Sequence, residues 1–170
     1  YGFCFTHKNK KLTISGDNTF TGNVNIVSGS LSITHNNALG SAAGTTTVAS
    51  GAALYISNNI TIGESISIAE TGISSNGAIR NTADANTITG LITQTAHSEI
   101  QIDTGSSLTF NPTTGSAITG TYNLTIESVG TTTISDPIAT STGNIIKTGA
   151  GTLTLSGTNT YSGDTTISNG

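Results

Sequence analysis

Charged side chains are scarce here: Asp, Glu, Lys and Arg make up 8% of the 170 residues, against about 25% in ordinary soluble domains. The five bases do not gather. Lys8, Lys10 and Lys11 sit near the N-terminus, while Arg80 and Lys147 stand alone. A phosphate-tracking surface needs a basic stripe interleaved with aromatic platforms, so nucleic acid is excluded as a partner. The low charge equally argues against a charge-expanded disordered chain. Cys4 is the single cysteine, which excludes an intramolecular disulfide framework and a multi-cysteine metal site. His7 lies close to it, but the segment differs from everything after it, and an incidental or structural thiol is the reading. No apolar run approaches the roughly 20 residues of a membrane-spanning helix. Tyr1–Lys10 has no apolar core of a signal peptide, and the sequence does not open on Met, which leaves room for an export signal on an upstream part. No stretch shows a sustained helical apolar face, and helix content is expected close to nil.

What remains is rich in Thr, Ser, Asn and Gly, with Ile, Leu and Val set in alternation. Leu12-Thr-Ile14, Val24-Asn-Ile26, Leu31-Ser-Ile33, Ile66-Ser-Ile68, Ile100-Gln-Ile102, Leu108-Thr-Phe110 and Leu124-Thr-Ile126 each put apolar residues on one side. Gly/Asn/Ser clusters bound them, which reads as short half-buried strands. The two prolines, Pro112 and Pro137, fall in turn-like stretches where a missing N–H costs no ladder bond.

The chain also repeats itself. Moved back by 141 positions, Leu153–Gly170 falls on Leu12–Gly29 with nine of eighteen residues identical. A smaller signature recurs at Asn18–Gly22, Asn86–Gly90 and Asn159–Gly163. These intervals fit three coils each, of about 22 to 24 residues, and strands this short must stack to be stable. The expected fold is therefore an all-β parallel β-solenoid (β-helix) of about six to seven coils, a rod roughly 30 to 35 Å long. Residues 1–10 are read as a non-repeat N-terminal segment or cap, and 11–170 as the solenoid. Gly and Asn are expected at corners that need φ > 0, with Thr facing outward. An antiparallel sandwich would show similar strand spacing without a unit of this length.

The segment Thr152-Leu-Thr-Leu-Ser-Gly157, Asn159-Thr-Tyr161, Gly163 and Thr165-Thr-Ile167 resembles the autotransporter-associated β-strand repeat, the passenger-associated transport repeat of type V secreted bacterial surface proteins. Leu12–Ile26 is similar to a second copy, and Asn37-Ala-Leu-Gly40 to the turn that follows such repeats. The resemblance implies a right-handed parallel β-helix, export across the outer membrane and display at the cell surface or secretion. It also implies adjacent repeats and a C-terminal outer-membrane β-barrel as partners within a longer parent.

Enzymatic alternatives need clustered acids and bases. The nine acids are dispersed, and His97, Glu99 and Asp103 are the densest group. On a strand from Ser98 to Ile102, His97, Glu99 and Gln101 share the face opposite Ile100 and Ile102, and that face is read as outward and solvated. His7, His35 and His97 lack metal-ligand spacing, and His35 reads as an exposed turn residue. No catalytic, cofactor or metal set is assigned, and the chain is read as a non-enzyme. A Thr-rich solenoid can also bind ice, but the steps at Thr45–Thr47, Thr87–Thr89, Thr93–Thr95 and Thr131–Thr133 do not recur once per coil. The expected role is a stalk or scaffold in a surface-exposed passenger, with a part in secretion. The alternative is direct adhesion to host or matrix glycans or proteins, through Tyr55, Phe110, Tyr122 or Tyr161, although Phe20 and Tyr161 share a repeat position that suggests packing.

Overall fold

The computed structural model describes residues 2–170. Its first strands are β1 (Phe3–Ile14), β2 (Val24–Ile33), β3 (Thr45–Val48), β4 (Ala52–Ile56), β5 (Thr61–Ile62) and β6 (Ser65–Glu70). After one 3-10 turn at Ile73–Ser75 come β7 (Ile79–Asn81), β8 (Ala85–Ile88), β9 (Ile92–Ile102), β10 (Ser107–Phe110) and β11 (Ile118–Thr119). The chain then forms β12 (Leu124–Ser128), β13 (Thr131–Ile134), β14 (Ile138–Ala139), β15 (Ile145–Thr148), β16 (Thr152–Leu155) and β17 (Thr165–Ile167). Every strand pairing is parallel, and partners lie about one coil apart in sequence. This is a parallel β-solenoid with three faces.

Face 1 stacks the second halves of β1, β2 and β9 with β4, β7, β12, β15 and β17. Face 2 holds β5, β8, β10, β13 and β16. Face 3 stacks the first halves of β1, β2 and β9 with β3, β6, β11 and β14. On face 1 a single inward column reads Leu12, Leu31, Leu54, Ile79, Ile100, Ile126, Lys147, Ile167. Those eight rungs give about eight turns where the sequence suggested six to seven. The difference lies in the ends: the seven steps of the column, which range from 19 positions (Leu12 to Leu31) to 26 (Ile100 to Ile126), average about 22 as expected, and both terminal coils contribute a rung. Eight rungs at about 4.8 Å give a stack about 34 Å long.

Alternation builds the core. Val24, Ile66, Ile92, Ile118 and Ile138 line face 3, and Ile62, Ile88, Phe110 and Ile134 line face 2, each at most 1% exposed. Each such side chain contributes about 1.5–3 kcal/mol by burial, and only stacking of neighbouring coils supplies that burial. The outward placement of Thr holds in part. Thr46, Thr132 and Thr140 occupy fully buried positions, because a β-branched side chain fills an inward site almost as Val does and its hydroxyl can bond locally, as Thr132 Oγ1 does to Ser128 Oγ at 2.9 Å.

The asparagines have a different task from the one expected. Only Asn9, Asn58 and Asn59 take positive φ. Several asparagine side chains instead accept a backbone N–H from the neighbouring coil. Asn36 Oδ1 accepts from Thr61 N at 2.9 Å, Asn86 Oδ1 from Ile60 N at 2.8 Å, and Asn144 Oδ1 from Asp164 N at 2.8 Å. Corners leave main-chain donors outside the sheet ladders, and a buried donor without a partner is costly. A short amide side chain reaches the next coil about 4.8 Å away.

Candidate functional site

Three places gather ionisable or polar groups that the strand pattern alone does not account for. The first is on the outer side of face 1. Register sets Tyr55, Arg80, Gln101 and Glu127 in one outward row and Glu99 in the next. Arg80 Nε donates to both oxygens of Asp103, at 3.0 and 3.1 Å, and Gln101 Nε2 donates to Asp103 Oδ1 at 3.3 Å. Glu99 is 9% exposed and Gln101 8%. The expectation of a solvated face at this strand is therefore corrected: long side chains on adjacent rungs fold over one another and shut water out. Burial, followed by the Glu127 charge and a hydrogen bond shared with that carboxyl, pushes Glu99 up to about 7. His97, expected on the same face, stands at the preceding corner, where Nδ1 accepts from Asn123 N at 3.0 Å and the ring meets Tyr122 edge-on at 5.6 Å. The structure brings Glu99, Gln101 and Asp103 together, leaves His97 out, and adds Arg80 and Glu127 from neighbouring rungs.

The second place lies inside the solenoid, at the corner before β6. Glu64 is 3% exposed. Its room comes from the glycines stacked around it: a Cβ on Gly44 would come within 3.2 Å of Glu64 Oε1, and one on Gly90 would collide with the Glu64 carbonyl oxygen. Among the described residues, neither carboxyl oxygen nor Thr46 Oγ1 meets hydrogen-bond geometry with a partner. Burial raises the Glu64 carboxyl to about 7, with the Thr46 hydroxyl close by and pulling the other way.

The third is Lys147, which replaces an aliphatic residue in the inward column of face 1 and is 5% exposed. Its Nζ donates to the carbonyls of Thr148 at 2.7 Å, Gly149 at 2.5 Å and Asn169 at 3.2 Å. Burial lowers its pKa. Carbonyl dipoles satisfy the ammonium without a carboxylate.

These groups do not converge on one reactive point. Among the described residues no set of three or more His, Cys, Asp or Glu is gathered to hold a metal ion. His7 and His97 are exposed, and His35, read as an exposed turn residue, is half-buried with Nδ1 accepting from Asn37 N at 3.2 Å. Cys4 points outward and is free, while His7 packs edge-on against Phe5 at 5.7 Å. Of the aromatic candidates for adhesion, Phe110 is 1% exposed and Tyr161 packs against the core, as does its counterpart Phe20. Sequence reading missed Glu64, Lys147, Arg80 and Glu127 because each takes its meaning from residues about one coil away.

Stacked rungs, glycine-lined corners and asparagine bonds between coils define a repeat-built parallel β-solenoid. Two of its stretches, residues 10–33 and 145–170, match the passenger-associated-transport-repeat, so the chain carries two copies of that repeat. Repeat and fold together fit the passenger region of an autotransporter. No curated protein and no solved structure matches the chain.

Proposed function

We propose that this chain is a non-enzymatic stalk segment of a bacterial autotransporter passenger, secreted or displayed at the cell surface. The observation that carries the reading is the inward column of face 1, which keeps its register from Leu12 to Ile167 across eight rungs and is aliphatic at every rung but Lys147. Each coil contacts its neighbours along the axis, so a continuous column resists bending and transmits length. A stalk needs those two properties and no reactive site. The coil is taken as right-handed, the sense that parallel β-crossovers adopt almost without exception. In this reading the parent protein crosses the outer membrane by the type V route behind a C-terminal β-barrel, and successive coils stacking outside help draw the chain outward.

Antibody labelling of intact cells that express the parent protein should detect this segment, and label confined to lysed cells would sink surface display. The stalk role is tested by exchange. Replacing residues 11–170 with an unrelated solenoid of equal coil number should preserve cell attachment, whereas deletion should abolish it. Loss of attachment in the exchanged protein would favour the adhesive role instead.

A further inference from the structure

Face 2 carries a regularity that runs across coils. Its five strands align Thr61, Thr87, Thr109, Thr133 and Thr154 in one outward row. A parallel row on the same face holds Ser107, Thr131 and Thr152. The sequence steps between the aligned threonines are uneven: 26, 22, 24 and 21 positions. Spacing along the chain therefore hides the array. Two of the four Thr-x-Thr steps visible in sequence, Thr45–Thr47 and Thr93–Thr95, lie on face 3. The four steps do not recur once per coil, as their spacing suggested, but single threonines on face 2 do, and only register shows it.

We propose that face 2 is an ice-binding surface, holding an ordered layer of water through this threonine lattice. Three properties argue for an ordered, uncharged partner. First, the strands of face 2 pair without a register shift, unlike β1–β2 and β6–β9, where the register slips. Hydroxyls therefore repeat at about 4.8 Å between rungs and, on β10, β13 and β16, at about 6.6 Å along the strand. Repeats of that size lie close to oxygen spacings on the surface planes of hexagonal ice. Second, among the described residues no hydroxyl of either row enters an intramolecular side-chain hydrogen bond, and Thr61, Thr131, Thr152 and Thr154 are exposed. Each presents a free donor and acceptor beside a methyl group, and β-branching holds χ1 in few rotamers. The array is thus pre-organised, which lowers the entropic cost of binding a lattice. Third, the two rows contain no charge and no aromatic ring. Charge would hold its own disordered hydration shell, and a glycan would be expected to seek an aromatic platform for its apolar face.

The test uses the purified 170-residue chain. Thermal hysteresis, inhibition of ice recrystallisation and uptake of fluorescently labelled protein into a growing ice hemisphere are all expected. Thr109→Lys with Thr133→Lys, at the centre of the array, should cut hysteresis by about tenfold or more, as disruption of an interface centre does. Thr47→Lys, on the outward side of face 3, should leave it unchanged. Thr133→Val keeps the side-chain shape and covers the case in which paired lysines disturb the sheet; it should lower activity with an unaltered circular-dichroism melt. Absence of ice activity in the parent chain overturns the proposal. So does equal loss from the face 3 variant, or no loss from either face 2 variant. Retention on microcrystalline cellulose or chitin with no effect on ice would reassign the face to a polysaccharide.

Discussion

The two copies of the repeat, Leu12–Ile26 near one end and Leu153–Ile167 at the other, differ more in space than in sequence. In the first copy, Leu12–Ile14 lies on face 1 and Val24–Ile26 on face 3. In the second, Leu153–Leu155 lies on face 2 and Thr165–Ile167 on face 1. The same unit is turned by one face. Both copies use the Asn-Thr-aromatic step to cross a face without forming a strand there, face 2 in the first copy and face 3 in the second. Burial diverges as well: Val24 and Ile26 are fully buried, while Ile167, the counterpart of Ile26, is 70% exposed. Alternation and small corner residues specify a strand and a bend, which all three faces need equally. Position along the stack decides which face the strand joins and whether a coil covers it on both sides.

The largest effect that tests this comparison is at the paired isoleucines. Ile26→Ala removes a side chain enclosed by coils above and below and should cost about 4 kcal/mol. Ile167→Ala, with identical chemistry at the matched repeat position, should cost under about 1 kcal/mol because most of that side chain already faces solvent. Urea unfolding followed by circular dichroism measures both. Equal costs would mean that the local repeat carries its own stability, and the account of burial by stacking would be wrong.

This separation also explains what could be read from the sequence. Strand positions, the near absence of helix and the solenoid class follow from alternation such as Leu108-Thr-Phe110 and from the recurring Asn-Thr-x-x-Gly step, both local signals. The number of coils and the identity of each face depend on turn lengths, and these cannot be counted from strand letters alone: Asn111–Ala117 spans a longer connection than Ser135–Pro137. The clustered groups were less legible still. Glu99 meets Glu127 only because two coils differ by 26 positions at Ile100 and Ile126, and Thr109 aligns with Thr133 for the same kind of reason.

A second, smaller effect comes from acids that neighbouring coils have buried. Glu64 and Glu99 each titrate near 7 in the folded chain against 4.5 for the free group. A raised carboxyl pKa means that the folded state holds its proton more tightly than the unfolded state does. That contribution is complete below about pH 4.5 and is lost as pH rises through 7, so the solenoid should melt higher at pH 5 than at pH 8. The full swing is at most on the order of 3 kcal/mol for each carboxyl, reduced by whatever screening solvent supplies. Glu64→Gln should recover its share at pH 8 and flatten the profile, while Ser168→Asp, an acid added at an exposed position beside the second repeat, should leave the profile unaltered. A parent chain whose melting point is level between pH 5 and 8 would show that neither carboxyl is desolvated by its neighbours.

The smallest effect is the most specific to the two copies, because it concerns one matched residue used in opposite ways. Asn18 Nδ2 donates to the Ala38 carbonyl of the following coil at 3.0 Å and to the Gly16 carbonyl at 3.2 Å. Asn159 Oδ1 instead accepts from Ile138 N of the preceding coil at 2.9 Å. Alanine at either position should cost about 1 kcal/mol, the net worth of a typical hydrogen bond. Aspartate separates them. It keeps an acceptor and loses the donor, so Asn159→Asp should be nearly neutral, since a carboxylate receives a backbone N–H well. Asn18→Asp should cost as much as alanine or more, because a carboxylate would then face two carbonyl oxygens with no proton between them. Denaturation midpoints of the four variants at pH 7 measure the contrast. Equal costs for the two aspartates would mean that the copies are used alike, whatever face each occupies.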